Sequence, residues 1–558
     1  MKLKTKLFIL FIISVMSFTA VNGQKNYDDY KAISQKAGKL AGDYPGLCSV
    51  KSLAKTSTGK DIWVISIGPG ERDNKPAIAV VGGLDSSPLG STLALGFADK
   101  LLRESSNQEI KDLLGKVTFY IFPDVNPDAE TLNGVLKYDR SYNARSTDDD
   151  KDFTFDEDPF EDMNGDGLIT LMRVTDPTGT MVESTDDKRI LVPADLSKGQ
   201  KGTYFVYSEG TDNDKDGAFN EDGAGGVSFN KNFTFNYEEY GTNAGFHAVS
   251  EPETKAVADF LYDHFNIYTV ITFGPQDNLG QPMRMAERPG AQENQQGQPG
   301  MQGQMQFSQR MQGDRRVTSI MRTDETVNRL VSEKYHDITG LKGAPVTRNT
   351  PGNFMDWAYY HYGRYSFSTP GWWFPSERGK NAEAAYLKYA ADNKLTDVFV
   401  DWKEIKHPDF PDKKVEVGGI KPMAMNTPTD SIKEVMINKH YKFITEVAGM
   451  HPELELVDLK VENLGENIFR VTVKLHNKGL FATVAEVGDF NQWTRIMRVT
   501  FNPLNGQTFL NGQKITRARR LEGDQSAEFS WLLSGKGQAR ITAGALNTGT
   551  VSTVVELK

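Results

Sequence analysis

The chain has 558 residues, 74 Asp and Glu against 64 Lys and Arg, a formal net charge of −10 and a single cysteine, Cys48. That length exceeds one ordinary core, so two or three globular domains are expected. The acidic balance argues against nucleic acid or an anionic membrane as partner, and one cysteine excludes an intrachain disulfide and a cysteine-rich zinc site.

Lys2, Lys4 and Lys6 precede an apolar run from Leu7 to Val21, and Val21-Asn22-Gly23 supplies small residues before Gln24. This layout predicts a signal peptide over residues 1–23 and an exported mature protein, whether periplasmic, cell-surface or extracellular. No later stretch has the length and apolarity of a membrane span, so no transmembrane segment is expected in the mature chain.

Pro76 to Val81 and Val117 to Phe122 are short apolar, β-branched runs bounded by turn residues, the pattern of buried strands. Between them Leu89, Leu93, Phe97 and Leu101 recur every four residues after Pro88, which predicts a helix with proline in its first turn. Ser250 and Glu253 form the pattern of a capping box ahead of a second helix through Val257, Phe260 and Leu261, and Tyr268 to Phe273 predicts another buried strand. Strands alternating with helices place residues 24–453 in an α/β layered class. Residues 275–315, rich in Gln, Gly and Met and without helical or strand period, predict a long low-complexity surface loop. From Leu454 the pattern alternates, with Phe469, Val471, Val473 and Leu475 on one face and Arg470, Thr472 and Lys474 on the other. A C-terminal β-sandwich over residues 454–558 is predicted.

Three acidic stretches repeat one spacing, oxygen donors at alternate positions and usually then glycine: Asp148, Asp150 and Asp152; Asp162, Asn164 and Asp166; Asp212, Asp214 and Asp216, with Glu221 following. Alternate side chains can converge on one hard cation while glycine allows the sharp turn, so calcium is the expected cofactor. Ile169 gives the stretch from Asp162 the apolar position of such loops, which ranks it first of the three.

The Gly82-Gly83 turn, Asn126-Pro127-Asp128, Gly226 to Phe233, Ser250-Glu251-Pro252-Glu253-Thr254 and Gly352-Asn353-Phe354-Met355-Asp356-Trp357 occur in an order and spacing that resemble the zinc carboxypeptidases, peptidase family M14. The resemblance runs from about Tyr27 to about Met450. It implies a mixed sheet flanked by helices. It also implies a catalytic zinc held by His-x-x-Glu after the first buried strand and a His after a later strand, with a Glu as general base. The matching positions here are Asp85, Pro88, Gly274 and Pro370. Only Asp85 carries a donor for a metal, and proline neither accepts nor returns a proton, so zinc is doubtful and catalytic residues are absent from their places. The Asn-Arg pair and the further Arg with which the family clamps a peptide carboxylate correspond to Asn230-Lys231 and Arg145, and the covering Tyr falls near Arg348. Lysine lacks the bidentate fork, so the clamp is expected to be weaker.

The eight histidines, from His247 to His476, fall at none of the matching positions; Asp277 is the one carboxylate close after Gly274. Three readings follow. The first is an inactive carboxypeptidase homologue that binds a peptide or other carboxylate-bearing ligand in its former active-site cleft. The second is an active zinc metallocarboxypeptidase with displaced ligands, which requires three donors converging near Asp85. The third is a calcium-stiffened structural or surface-interaction protein whose cleft is filled by Trp372, Trp373 and Phe374.

Overall fold

The computed structural model describes residues 27–129, 141–148, 153–217, 219–220, 226–285, 317–347, 350–376 and 379–558. The predicted signal segment 1–23, most of the predicted low-complexity loop, Asp150, Asp152, Glu221 and Arg348 lie outside the described residues.

After helix α1 (Tyr30–Asp43) the chain lays down β1 (Cys48–Lys55), β2 (Asp61–Ile67) and β3 (Ala77–Val81), then α2 (Pro88–Arg103), α3 (Gln108–Lys116) and β4 (Thr118–Phe122). β5 (Leu171–Thr175), β6 (Met181–Glu183), β7 (Leu191–Pro193) and β8 (Tyr204–Ser208) follow as a separate group before α4 (Pro252–Asp263) and β9 (Ile267–Phe273). Next come α5 (Arg322–Thr339), α6 (Phe354–Tyr360), β10 (Tyr365–Thr369), α7 (Ala382–Asp392), β11 (Phe399–Ile405), β12 (Val415–Ile420) and α8 (Asp430–Gly449).

The central sheet has the order β1-β2-β4-β3-β9-β10, antiparallel at the β1–β2 and β2–β4 pairs and parallel through β4, β3, β9 and β10. All five residues of β3, of β4 and of β10 are buried, as continuous apolar runs require of strands covered on both faces. Consecutive residues of β4 show the two covers. Phe119 meets Phe97 of α2 with ring centroids 5.4 Å apart, while Tyr120 and Phe122 meet Phe260 of α4 at 5.2 and 5.3 Å. Neighbouring strand residues point to opposite faces, so helices lie on both. Leu89, Leu93, Phe97 and Leu101 are all fully buried, as the fourfold spacing predicts.

The start of α4 differs from the capping box expected at Ser250. Glu251 is the N-cap residue and Pro252 opens the helix. The Ser250 hydroxyl donates to Glu251 Oε1 at 2.6 Å instead of accepting from the helix, because Glu251 is drawn away into a buried polar network described below.

A second, antiparallel sheet of order β11-β12-β5-β8-β6-β7 has its own small core of Met172, Val174, Val415 and Val417. The described acidic stretches flank it: Asp162 to Asp166 precedes β5 and Asp212 to Asp216 follows β8. In its middle, Arg173 pairs with Glu416 at 2.9 Å between the rings of Tyr204 and Trp402.

The last hundred residues fold as two four-stranded antiparallel sheets. β13 (Leu454–Gly465), β14 (Ile468–Asn477), β16 (Thr508–Asn511) and β18 (Gln525–Ser534) pair in the order β13-β14-β18-β16. β15 (Arg498–Asn502), β17 (Ile515–Arg517), β19 (Gly537–Ala545) and β20 (Gly549–Leu557) pair as β17-β15-β19-β20. The inward set Phe469, Val471, Val473 and Leu475 closes with Val499, Phe501, Trp531 and Ile541 into one core. A short helix α9 (Glu486–Asn491) joins this sandwich to the larger body. Its amides at Glu486 and Val487 donate to the buried Asp324 carboxylate of α5 at 2.8 and 3.0 Å, and Phe481, Ala485 and Val487 belong to the larger core.

Candidate functional site

The carboxyl ends of β3, β9 and β10 meet at one edge of the central sheet, the position where open α/β sheets place their ligands. β3 leaves through Gly82-Gly83, and Gly83 has φ +69 with a Cβ there overlapping Asp124 Oδ1, so only glycine lets the chain turn this tightly. Asp85 follows, its Oδ1 accepting from the Ser87 amide at 3.1 Å. This turn feeds Pro88, the first residue of α2. β9 ends at Gly274, whose amide donates to the Thr369 carbonyl at the end of β10. Pro370 comes next, then Gly371 with φ +81, where a Cβ would overlap Leu93.

A cavity of about 260 Å³ opens among these ends, and Asp85, Gly274, Pro370, Trp372, Trp373 and Phe374 are on its wall. Ser87 and Gly90 line it on either side of Pro88. Three of the four positions that the resemblance assigns to zinc and base, Asp85, Gly274 and Pro370, thus line one cavity, and they bring to it one carboxylate, one glycine and one proline. Zinc does not fit this donor set: a catalytic site needs three ligating side chains, and Pro88, Gly274 and Pro370 offer none. Among the described residues the one group of three acidic or ligating side chains with atoms within 4.8 Å of one another is Asp212, Asp214 and Asp216, outside this cavity. Asp277 does not line the cavity either. Its Oδ1 accepts from the amides of Leu279 and Gly280, and burial pushes its carboxyl up to about 6. His440, fully buried behind the cavity-lining Phe273, is pushed down to about 4 by burial and also meets the hydroxyl of Tyr335, which bonds Thr369 Oγ1 at 2.8 Å.

The residues expected to clamp a carboxylate are placed but engaged. Asn230 sits in a 3-10 turn, Phe229–Lys231; its Nδ2 donates to Gln276 at 2.6 Å and its Oδ1 accepts from the Phe354 amide at 3.0 Å. Lys231 donates to the Thr242 carbonyl at 3.0 Å. Arg145 pairs with Glu251 at 2.7 Å and lies over the Phe246 ring. The two acids of Ser-Glu-Pro-Glu-Thr, which sequence reasoning used as a helix start and as a family motif without assigning them a site role, are both fully buried and share Asn143, whose Nδ2 donates to Glu251 at 2.8 Å and Glu253 at 2.6 Å. Burial pushes the Glu253 carboxyl up to about 7. Two glutamates two residues apart beside a proline gave a signal of this network in the sequence.

Described carboxylates of the acidic stretches accept from amides of their own turns. Asp162, in the stretch ranked first, has its carboxylate taken by the amides of Gly165, Asp166 and Gly167, and Asn164 donates to Asp166. Buried Glu209 holds the same turn through the amides of Met163, Asn164 and Thr170. Asp148 accepts from the Phe153 amide at 3.1 Å.

Residues 33–158 match the zinc carboxypeptidase family, and residues 453–556 match a domain of unknown function, DUF8731. Carboxypeptidase B of Astacus astacus is 30% identical over 104 residues, 18% of this chain and 33% of that protein. Human carboxypeptidase D is 29% identical over 137 residues, 23% of this chain and 10% of that protein. The chain thus spans a third or less of the length of these relatives. Among solved structures, thrombin activatable fibrinolysis inhibitor is similar over 77% of this chain and 78% of its own at 13% identity and a TM-score of 0.40. Carboxypeptidase A of Helicoverpa armigera is similar over 76% and 75% at 14% identity and 0.39. Over residues 33–158 the chain is thus a homologue of the zinc carboxypeptidases, peptidase family M14, and the order of the motifs and the mixed sheet that carries them accord with that likeness.

Proposed function

We propose that the protein is an exported carboxypeptidase homologue that holds a peptide in its former reaction centre without hydrolysing it. One observation carries the reading: Asp85, Gly274 and Pro370 line a single cavity together, which supports taking that cavity as the former reaction centre. Attack on a peptide bond needs an activated water and a polarised carbonyl. Asp85 is the one charged group that the described wall supplies. What these residues can do is bind. Trp372, Trp373, Phe374 and Pro370 offer an aromatic and prolyl wall to an apolar side chain, the usual make-up of a ligand pocket. That the triplet leaves a cavity of about 260 Å³ supports binding over the reading in which it fills the cleft. A carboxylate-bearing ligand would have to take the place of Glu251 on Arg145, so recognition rests more on the ligand's body than on its terminus.

The test is metal content and peptidase activity on protein purified without chelator or affinity metal. Less than a tenth of a zinc per chain, with no release of C-terminal residues from peptides, is expected. About one zinc per chain with chelator-sensitive release would overturn the reading and favour displaced ligands.

Calcium is a second part of the reading, favoured by the convergence of Asp212, Asp214 and Asp216. A cation there would brace the turn after β8 in a chain that has no disulfide to do so.

A further inference from the structure

The C-terminal sandwich is charged oppositely to the chain as a whole. Residues 454–558 hold 13 Lys and Arg against 10 Asp and Glu, in a protein whose formal net charge is −10. The two outer faces of the sandwich differ. On the sheet of β13, β14, β18 and β16, Arg470 pairs with Glu462 at 3.3 Å and Lys474 with Asp458 at 2.8 Å. On the sheet of β17, β15, β19 and β20, Arg498, Arg517 and Arg540 are exposed, and among the described residues none of the three has an acid or a hydrogen-bond acceptor on its guanidinium.

Strand register places these side chains. Arg498, Thr500 and Asn502 alternate with the buried Val499 and Phe501, so they point outward, and Arg498 lies directly opposite Arg517. Two like charges facing each other across a sheet repel and destabilise the pair, and an anion laid across both relieves them. Arg519 follows beyond the inward Ala518 and carries the charge past the end of β17. The next outward row is Ile515, Thr500, Thr542 and Ser552, and the row beyond it is Asn502, Arg540 and Val554. Arg540 therefore stands about 14 Å along the sheet from the Arg498–Arg517 pair, at roughly 3.4 Å per residue, with three hydroxyls between. The one acid among the outward strand residues of this face, Glu556, is at its far end and is paired with Lys558.

We infer that this face of the sandwich docks a linear acidic polysaccharide, its carboxylates or sulfates on the arginines and its ring hydroxyls on the row of Thr500, Thr542 and Ser552. A guanidinium takes a planar oxyanion through two parallel N–H donors, which a lysine does not, and threonine and serine hydroxyls both donate to and accept from a sugar hydroxyl. Other polyanions meet the face less well. It has no aromatic side chain on which a base would stack, and it is a sheet surface without a projecting helix or ribbon to enter a duplex groove. It offers a bilayer no apolar belt either, since Ile515 and Val554 lie on β17 and β20, the opposite edges of the sheet. The surface is remote in sequence from the cleft residues and stands whether or not the cleft holds a peptide.

Full-length protein is titrated by calorimetry with chondroitin sulfate, uncharged dextran, single-stranded DNA and phosphatidylglycerol vesicles. Chondroitin sulfate is expected to bind, more weakly as salt rises, and dextran not to bind. Arg498→Gln/Arg517→Gln/Arg540→Gln should weaken chondroitin sulfate at least tenfold. Arg470→Gln/Lys474→Gln, which removes two cations from the other outer face, should change it less than twofold. All five side chains are on the outer faces, so the fold is preserved, and melting temperatures no lower than that of the wild type verify it. Binding that both variants weaken equally, or that neither weakens, reports unspecific attraction and overturns the inference. Tighter binding of DNA or vesicles than of chondroitin sulfate, lost with the same three arginines, overturns the polysaccharide as occupant. If no probe binds, the inference falls.

Discussion

Glu253 gives the sharpest quantitative consequence of the buried network. Its carboxyl is fully buried beside Glu251, accepts from Asn143 at 2.6 Å and titrates at about 7, against an ordinary 4.5. Burial is the main cause, the Glu251 and Asp128 charges adding to it. Between pH 4.5 and 7 the folded protein therefore holds a proton on Glu253 that the unfolded chain has lost. Stability is highest below that window and falls as pH rises through it, by about 1.4 kcal/mol per pH decade and about 3 kcal/mol in all for this one group. Glu253→Gln keeps an acceptor for Asn143 and cannot ionise, so the wild-type-minus-variant difference in unfolding free energy should decline with pH across this window and level off near pH 7. Urea unfolding at half-unit steps from pH 4.5 to 8 measures it. Asp277, at about 6, contributes with the same sign in both proteins and cancels in the difference. A difference that is flat with pH, or that rises, would refute the assignment of a neutral Glu253 to the folded state.

Asp324→Ala removes the acceptor for two α9 amides and the Tyr359 hydroxyl; a loss of about 3 kcal/mol is expected at roughly 1 kcal/mol per bond, with the sandwich and the larger body unfolding in separate calorimetric transitions. Trp531→Ala, at 2% exposure in the sandwich core, should cost about 3–5 kcal/mol and lower the sandwich transition, leaving ligand binding in the cleft unchanged. Millimolar calcium should raise the melting temperature of the wild type and not of an Asp212→Ala/Asp214→Ala variant, as scanning calorimetry will show; equal responses would remove calcium from that turn. Restoring Asp85→His, Pro88→Glu, Gly274→His and Pro370→Glu together should return zinc to about one per chain before it returns peptidase activity. A Cβ at Gly274 needs Leu84, 3.2 Å away, to yield only slightly, whereas Arg145 stays on Glu251; elemental content and peptide hydrolysis separate the two outcomes.

Where one local pattern carried the whole message, the fold was legible. β3 and β4 are unbroken apolar runs because helices cover both faces, α2 shows its buried stripe at every fourth position, and β14 alternates because its sheet has a wet face. The second sheet was not legible. β6 and β7 are three residues each and β8 is half-buried throughout, so neither length nor period marks them. β5 pairs with β12 across some 240 residues of chain, a partnership that no window of sequence contains.

The sequence by itself determined the identity of the groups at the old reaction centre. Asp85, Pro88, Gly274 and Pro370 lack zinc-binding and proton-transfer chemistry wherever the chain puts them, because donor capacity belongs to the side chain. The tertiary structure alone decided which of the remaining groups are at work inside the protein. Arg145 is spoken for by Glu251 and Asn230 by Gln276 and Phe354. Charge and hydrogen-bonding capacity are local properties of a residue, but whether they are satisfied depends on what folding brings within about 3 Å of it.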